Sequence, residues 1–216
     1  MMTRIFKILF FALLIKPIVF IILGLNISFR EKLPLKGPAL LAPNHNSHLD
    51  TMVLISLYPL SKMHKVRPVA AADYFLSNKL LAWFSLNVIG IIPLDRKGGT
   101  NRDKIFSECL SALDNNDILV VFPEGSRGEP EQLSELKKGI FHLSKVHGNV
   151  PITPIVMHGL GRSLPRGEGL FVPFNCDIVI GDSLIIKDSA QQIQNTLLPA
   201  YHHLYQYCLT RNDDGA

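Results

Sequence analysis

The 216-residue sequence predicts an α/β domain, a mostly parallel or mixed sheet flanked by helices, preceded by an apolar helical N-terminal segment for membrane attachment. Three observations point there. Past Pro34, short β-rich runs alternate with amphipathic stretches, the pattern of strands joined by helical crossovers. One run, Ile118 to Phe122, is β-branched, aliphatic and aromatic throughout and suits a strand buried on both faces. The third observation is where the charge sits. Residues 1–37 carry six cations (Arg4, Lys7, Lys16, Arg30, Lys32, Lys36) against Glu31, a surplus of +5, while residues 38–216 carry sixteen basic and seventeen acidic side chains. The net +4 is therefore local to the N-terminus. A nucleic-acid-binding body would spread its cations over the folded domain, so that class is excluded. A hydrophobic content of 47% excludes a disordered chain.

The elements follow in order. Ile8 to Ile15 and Ile18 to Leu25 are apolar runs divided by Lys16-Pro17. No small-x-small cleavage site follows, which argues against a secretory signal. A bilayer span needs about 20 apolar residues. Residues 8–27 would supply them only with Lys16 mid-span, at ~2.5 kcal/mol or more, and with a proline kink. The expectation is two short helices broken at Lys16-Pro17 and embedded in one leaflet, their cations against anionic headgroups. A buried core helix is the alternative. Residues 1–37 are taken as this segment and 38–216 as one domain.

Within the domain, Ala39 to Ala42 reads as a strand, 48–57 as a helix and Val66 to Ala71 as a strand. Residues 77–87 form a helix, Ile89 to Leu94 a strand and 101–114 a helix, with Ile105, Phe106, Cys109, Leu110 and Leu113 at helical spacing. After the strand at 118–122 come a polar loop, 124–136, and a helix, 137–147. Val150 to Met157 is a strand whose Pro151 and Pro154 suit an edge or irregular position. Residues 160–173 look like a loop, Asp177 to Ile180 and Ser183 to Ile186 like late strands, and 189–210 like a terminal helix. Cys109, Cys176 and Cys208 are too widely spaced for a zinc ribbon or a disulfide framework and read as buried thiols in a reducing compartment.

In such sheets, sites gather in the loops beyond the carboxyl ends of strands. Three polar clusters fall there: Asn44 to Asp50, Asp95-Arg96, and Phe122 to Gly128. His45 and Asp50 could meet if the chain folds back, giving an oriented imidazole able to take a proton. No enzyme nucleophile accompanies it. Gly-x-Ser-x-Gly fails around Ser126, where position 124 is Glu, and Ser47 reads as a helix cap. The base would then activate a substrate hydroxyl directly. His45, His48 and Asp50 do not follow the di-metal hydrolase pattern H-x-H-x-D-H, so no metal is assigned. Arg96 and Arg127 could also be ion-pair partners of Asp95 or Glu129, and Lys137-Lys138 a solvated helix start. His202, His203, Tyr201, Tyr205 and Tyr207 read as packing, and His64, His142, His147 and His158 carry no argument.

Asn44-His45-x-Ser47-x-x-Asp50 followed by Phe122-Pro123-Glu124-Gly125-Ser126-Arg127 resembles the glycerolipid acyltransferases, in particular the 1-acylglycerol-3-phosphate acyltransferases. The family's other two blocks look like Gly90 to Arg96 and Val150 to Ile155, and a Lys137-Lys138-Gly139 step also matches. All four occur in order over residues 40–157. Departures are Ser126 for the commoner threonine, Gly128 for a common serine, and Pro93-Leu94 in the second block.

The resemblance implies acyl transfer from acyl-CoA or acyl carrier protein to a lysophospholipid hydroxyl, with no cofactor and at the cytoplasmic face of the inner membrane. It implies His45 as general base, oriented by Asp50. Arg96, Arg127 and Lys137 would hold the acceptor's phosphate, and Glu124, Gly125 and Ser126 would belong to the same acceptor site. Another lyso-lipid, such as a lyso-ornithine lipid, is an alternative acceptor. A non-catalytic lipid-binding protein is disfavoured because binding needs no oriented base. A serine or metal hydrolase of lipid esters is disfavoured by the missing elbow and ligand spacing.

Overall fold

The computed structural model describes residues 2–47, 49–75, 78–94, 102–126, 128, 132–163, 175–186 and 189–211. Seven strands form one sheet: β1 (Leu25–Ser28), β2 (Ala39–Pro43), β3 (Val66–Ala71), β4 (Ile92–Leu94), β5 (Ile118–Val120), β6 (Ile152–His158) and β7 (Cys176–Ile180). Their spatial order is β1-β7-β6-β2-β5-β3-β4, and every pairing is parallel except β6 with β7. The helices are α1 (Met2–Phe10), α2 (Asp50–Ser56), α3 (Ala72–Phe75), α4 (Lys79–Phe84), α5 (Arg102–Asp114), α6 (Gly139–Val146), α7 (Leu160–Ser163) and α8 (Gln192–Tyr205).

The strand period of two divides the core into two layers. Ala39 and Leu41 of β2, with Ile118 and Val120 of β5, pack with Val53 and Leu54 of α2 and with Phe11 and Val19 of the N-terminal helix. Their neighbours Leu40, Ala42 and Leu119 pack on the other side with Cys109 and Leu113 of α5, Ile140 of α6, and Leu197 and Tyr201 of α8. Cys109, Cys176 and Cys208 are buried and in no disulfide; burial pushes the Cys109 thiol up to about 12.

The N-terminal segment departs from expectation in three ways. Residues 2–22 form one continuous helix with no break at Lys16-Pro17: α1 runs into π-helical turns at Phe11–Ile15 and Ile18–Ile22. The wider turns on either side of Pro17 accommodate a ring that would clash in a regular α-helix. Second, residues 25–28 are not part of an apolar helix but form β1, paired with β7, so the sheet begins inside the segment. Third, the cations are mostly spent on the body rather than presented outward. Lys7 Nζ donates to Val66 O at 2.9 Å and Ile89 O at 2.8 Å, Lys16 Nζ to Tyr58 O at 3.0 Å and Arg30 Nη2 to Leu57 O at 2.9 Å. Lys32 pairs with Asp182 at 2.8 Å. Burial lowers the Lys7 pKa to about 7, with Arg67 adding to the shift and Asp117 opposing it.

By length and composition Thr3–Ile22 could cross a bilayer, with a mean hydropathy of 2.6 and 17% of that window buried. The Lys7 and Lys16 bonds nonetheless tie one side of the helix along the domain. Its other side exposes Ile5, Phe6, Leu9, Leu13 and Ile21. The helix is thus held lengthwise to the body with an apolar outer face.

Four further differences concern the sheet. The helix predicted over 77–87 continues through a π turn, Ser85–Ile89, and ends where Gly90 takes a φ of +81°, so the strand expected from Ile89 starts at Ile92. The strand at 118 ends at Val120, freeing Phe122 for the site. β6 is interior and fully buried despite its prolines. Pro151 and Pro154 serve as acceptors, from Leu40 N and Gly181 N, and the glycine opposite Pro154 leaves room for its ring: a Cβ at Gly181 would stand 2.8 Å from Pro154 Cγ. Ser183 to Ile186 is not a strand; only Leu184 bridges back, to Ile152. Of the loop expected over 160–173, residues 160–163 are α7 and the rest lies outside the described residues.

Candidate active site

The parallel pairing of β2 with β5 brings the loops that follow them side by side, at the carboxyl edge of the sheet. The loop after β2 is anchored by two asparagines. Asn44 continues the pairing with its side chain: Nδ2 donates to Met157 O at 2.9 Å and Oδ1 accepts from Met157 N at 2.7 Å. Asn46 Nδ2 donates to the same carbonyl at 3.0 Å. His45 sits between these two fixed points.

Asp50, the first residue of α2, is fully buried and folds back over the loop. Its Oδ2 accepts from Asn46 N at 2.7 Å and Ser47 N at 2.9 Å and contacts His45 Nδ1 at 2.9 Å. Ser47 Oγ in turn accepts from Leu49 N at 3.2 Å. Ser47 and Asp50 thus close the turn that leads into α2, and the same carboxylate oxygen holds the imidazole. An ionised carboxylate only accepts, so Nδ1 carries the hydrogen and the lone pair lies on Nε2. Nε2 has no hydrogen-bond partner among the described residues, and the ring lines a cavity. The Phe122 ring stacks on the imidazole at 3.8 Å between centroids and 24° between planes.

Glu124 braces the same histidine from the neighbouring loop. It is 2% exposed; Oε1 accepts the His45 backbone N–H at 2.8 Å and Oε2 accepts that of Ser134 at 3.0 Å. Gly128 N donates to His45 O at 3.2 Å, so both backbone groups of His45 are tied to the second loop. A Cβ at Gly128 would stand 2.7 Å from Ser134 Oγ, so a side chain there would have to turn that hydroxyl aside. Gly125, at φ +74°, turns the chain with its N–H on Phe122 O at 3.0 Å. Glu124, expected to contact the acceptor, therefore has both oxygens on backbone donors. Replacing it by alanine would leave two donors unpaired at ~1–3 kcal/mol each, whereas glutamine keeps one acceptor. The expected result is a loss of stability for Glu124→Ala in urea unfolding, about halved in Glu124→Gln; equal stability of both variants and wild type would remove the brace.

The cavity against His45 has a volume of about 480 Å³. His45, Thr51, Asp73, Ser126 and Lys137 are the polar residues of its lining, and Val69, Ile91, Leu94, Phe106, Ile140 and Leu143 are among the apolar ones. Lys137 borders it from an exposed position, with Nζ 2.8 Å from Glu135 Oε2; that bond lowers the Glu135 pKa. Arg96 and Arg127, and with them Asp95 and Glu129, lie outside the described residues, as does His48 of the cluster weighed as a metal site. Among the described residues no group of three His, Cys, Asp or Glu could hold a metal ion.

Sequence reasoning did not assign roles to Phe122, Asn44, Asn46 or Ser134. The first three stand inside the matched blocks, next to His45 or Glu124, and adjacency was the available signal. Ser134 contributes only a backbone N–H, for which sequence holds no signal.

Residues 24–158 match the family model described as Acyltransferase. The chain is 29% identical over 158 residues to the chloroplast 1-acyl-sn-glycerol-3-phosphate acyltransferase LPAT1 of Arabidopsis thaliana, covering 72% of this chain and 42% of that one. It is 29% identical over 160 residues to the human 1-acyl-sn-glycerol-3-phosphate acyltransferase alpha, covering 72% and 53%. The chain spans about half the length of these curated relatives. Its fold is similar to the crystal structure of the 1-acyl-sn-glycerophosphate acyltransferase PlsC of Thermotoga maritima, with a TM-score of 0.71 at 16% identity, over 94% of this chain and 81% of that one.

Proposed function

The chain belongs to the acyltransferase family, and from that premise we propose that it moves a fatty acyl group from acyl-CoA or acyl carrier protein to the free hydroxyl of 1-acylglycerol-3-phosphate, giving phosphatidic acid. The observation that carries the chemistry is the His45–Asp50 pair, with Nδ1 held at 2.9 Å and the imidazole lining the cavity. The two relatives named above, both carrying the name of this activity, support the choice of acceptor.

In the proposed reaction Nε2 takes the proton of the acceptor hydroxyl as its oxygen attacks the thioester carbonyl. Asp50, an anion in a dry site, stabilises the imidazolium that forms. Collapse of the tetrahedral intermediate breaks the carbon–sulfur bond, and the imidazolium returns the proton to the leaving thiolate. The apolar residues of the cavity, Val69, Ile91, Leu94, Phe106, Ile140 and Leu143, suit an acyl chain, and Phe122 and Glu124 hold the base in place. Arg96, Arg127 and Lys137 bind the acceptor's phosphate, a task suited to guanidinium forks. The helix over residues 2–22 keeps the domain on one leaflet, and the cytoplasmic face is the reading that suits its thiols.

The test is an acceptor panel with the purified full chain in mixed micelles. Lysophosphatidic acid, a neutral monoacylglycerol and a lyso-ornithine lipid are each offered with acyl-CoA or acyl carrier protein. Phosphatidic acid formation with stoichiometric thiol release is expected; thiol release without ester product would make the protein a thioesterase and end the proposal. Arg96→Gln and Arg127→Gln are expected to raise KM for lysophosphatidic acid about tenfold, the scale of one lost charged hydrogen bond, and to spare the neutral acceptor. Equal losses on both acceptors would remove the phosphate role.

A further inference from the structure

Residues 79–89 form an eleven-residue helix, α4 with its following π turn, that carries apolar side chains on its outer as well as its inner side, with Lys79, Ser85 and Asn87 as its polar residues. Its inner side packs: Ser85, Val88 and Ile89 are buried, and Phe84 meets Phe10 edge-on at 5.1 Å. Its outer side carries Leu80, Trp83 and Leu86 at a spacing of three, 80%, 52% and 41% exposed. No aspartate or glutamate interrupts residues 79–89. A helix with apolar residues on opposite sides belongs in a protein core or in lipid, and this one has core on one side only.

The outer side is continuous with that of the N-terminal helix. Phe6 meets Trp83 edge-on at 6.3 Å, and Ile5, Leu9 and Leu13 extend the same apolar surface. Lys7 joins the two helices from beneath, with Nζ on Ile89 O, the last carbonyl before Gly90. We propose that helix 79–89 is a second lipid-facing element, lying in the same leaflet as helix 2–22 and forming one surface with it. The inference rests on the membrane reading above.

Three features favour lipid over a protein partner. The surface extends the face of a 20-residue helix with a mean hydropathy of 2.6. Its exposed charges are the cations Arg4 and Lys79, which suit anionic headgroups. At about 16 Å the helix is too short to cross a bilayer and would lie in its plane, with the Trp83 ring near the headgroups. The consequence concerns the cavity. Helix 79–89 lies on the crossover between β3 and β4, whose Ala70, Ala71, Ile91 and Leu94 line the cavity, so one apolar wall is anchored directly to lipid.

Trp83 is the single tryptophan of the chain, so the unaltered protein reports on itself. The full chain is mixed with vesicles of phosphatidylcholine and phosphatidylglycerol, with and without phosphatidylcholine brominated near the top of its acyl chains. Binding is scored by flotation and indole emission is read on the bound fraction. Since an in-plane helix sinks about 5–10 Å into the boundary, the expected result is a blue shift and at least about twofold quenching by the bromines. Bound protein with unquenched, unshifted emission would overturn the proposal while leaving the N-terminal anchor standing. Failure to float would overturn both. Unquenched emission together with a dimer that Trp83→Glu dissociates would give the face to a second copy of the chain.

Discussion

Replacing His45 by alanine is expected to lower the rate of acyl transfer by about 10²–10⁴-fold, the contribution of a positioned general base, with KM for the acceptor nearly unchanged. The geometry makes this a clean removal. The backbone N–H and C=O of His45 are held by Glu124 at 2.8 Å and Gly128 at 3.2 Å, and neither bond involves the ring. Asp50 keeps its two backbone donors, so the loop retains its anchors when the imidazole is gone. The check is steady-state thioester consumption and phosphatidic acid formation by both proteins, beside matched urea unfolding curves. Equal turnover by His45→Ala and wild type would sink the mechanism, and an unfolded variant is separated from an inactive one by the unfolding curve.

Asp50 is expected to show the largest combined effect. Its fully buried carboxylate serves three partners with one oxygen. Alanine would leave the Asn46 and Ser47 N–H groups unpaired, ~1–3 kcal/mol each, and free the imidazole to turn. Asp50→Ala should therefore lose stability by several kcal/mol and activity by at least ~10²-fold. Asp50→Asn separates the two roles. Its amide oxygen still accepts from both backbone donors, so most of the stability should return, but the neutral group cannot balance an imidazolium and activity should stay low. Wild-type turnover by Asp50→Asn would show that the charge is not needed and leave Asp50 as a cap alone.

These two predictions draw on the part of the molecule most legible in the sequence. His45 and Asp50 are five apart, joined by a loop and the first turn of α2, and Ser47-x-x-Asp50 closes that turn locally. Backbone geometry over so few residues leaves little freedom, so spacing alone anticipated the contact. Glu124 is different. It meets His45 across 79 residues because β5 pairs in parallel with β2 in the register Leu41 to Val120. The motif named the residue; only the register decided that its two oxygens would be used on backbone donors.

The same division runs through the fold. The sequence by itself determined the alternation of strands and helices, the buried β5, and the apolar, basic N-terminus. It could not determine where that basic charge would be spent. Lys7, Lys16 and Arg30 end on carbonyls 27 to 82 residues away, partners that exist only once helix, sheet and loops are packed together. Nor could it make β6 interior, because a proline is admitted there only by its neighbours, and the fold sets Gly181, with no Cβ, against the Pro154 ring and on its carbonyl. Local pattern follows from the chain's own periodicity, while long-range partners depend on register and packing. In this protein the oriented histidine belongs to the first kind, and the brace that holds it and the continuous apolar surface of helices 2–22 and 79–89 belong to the second.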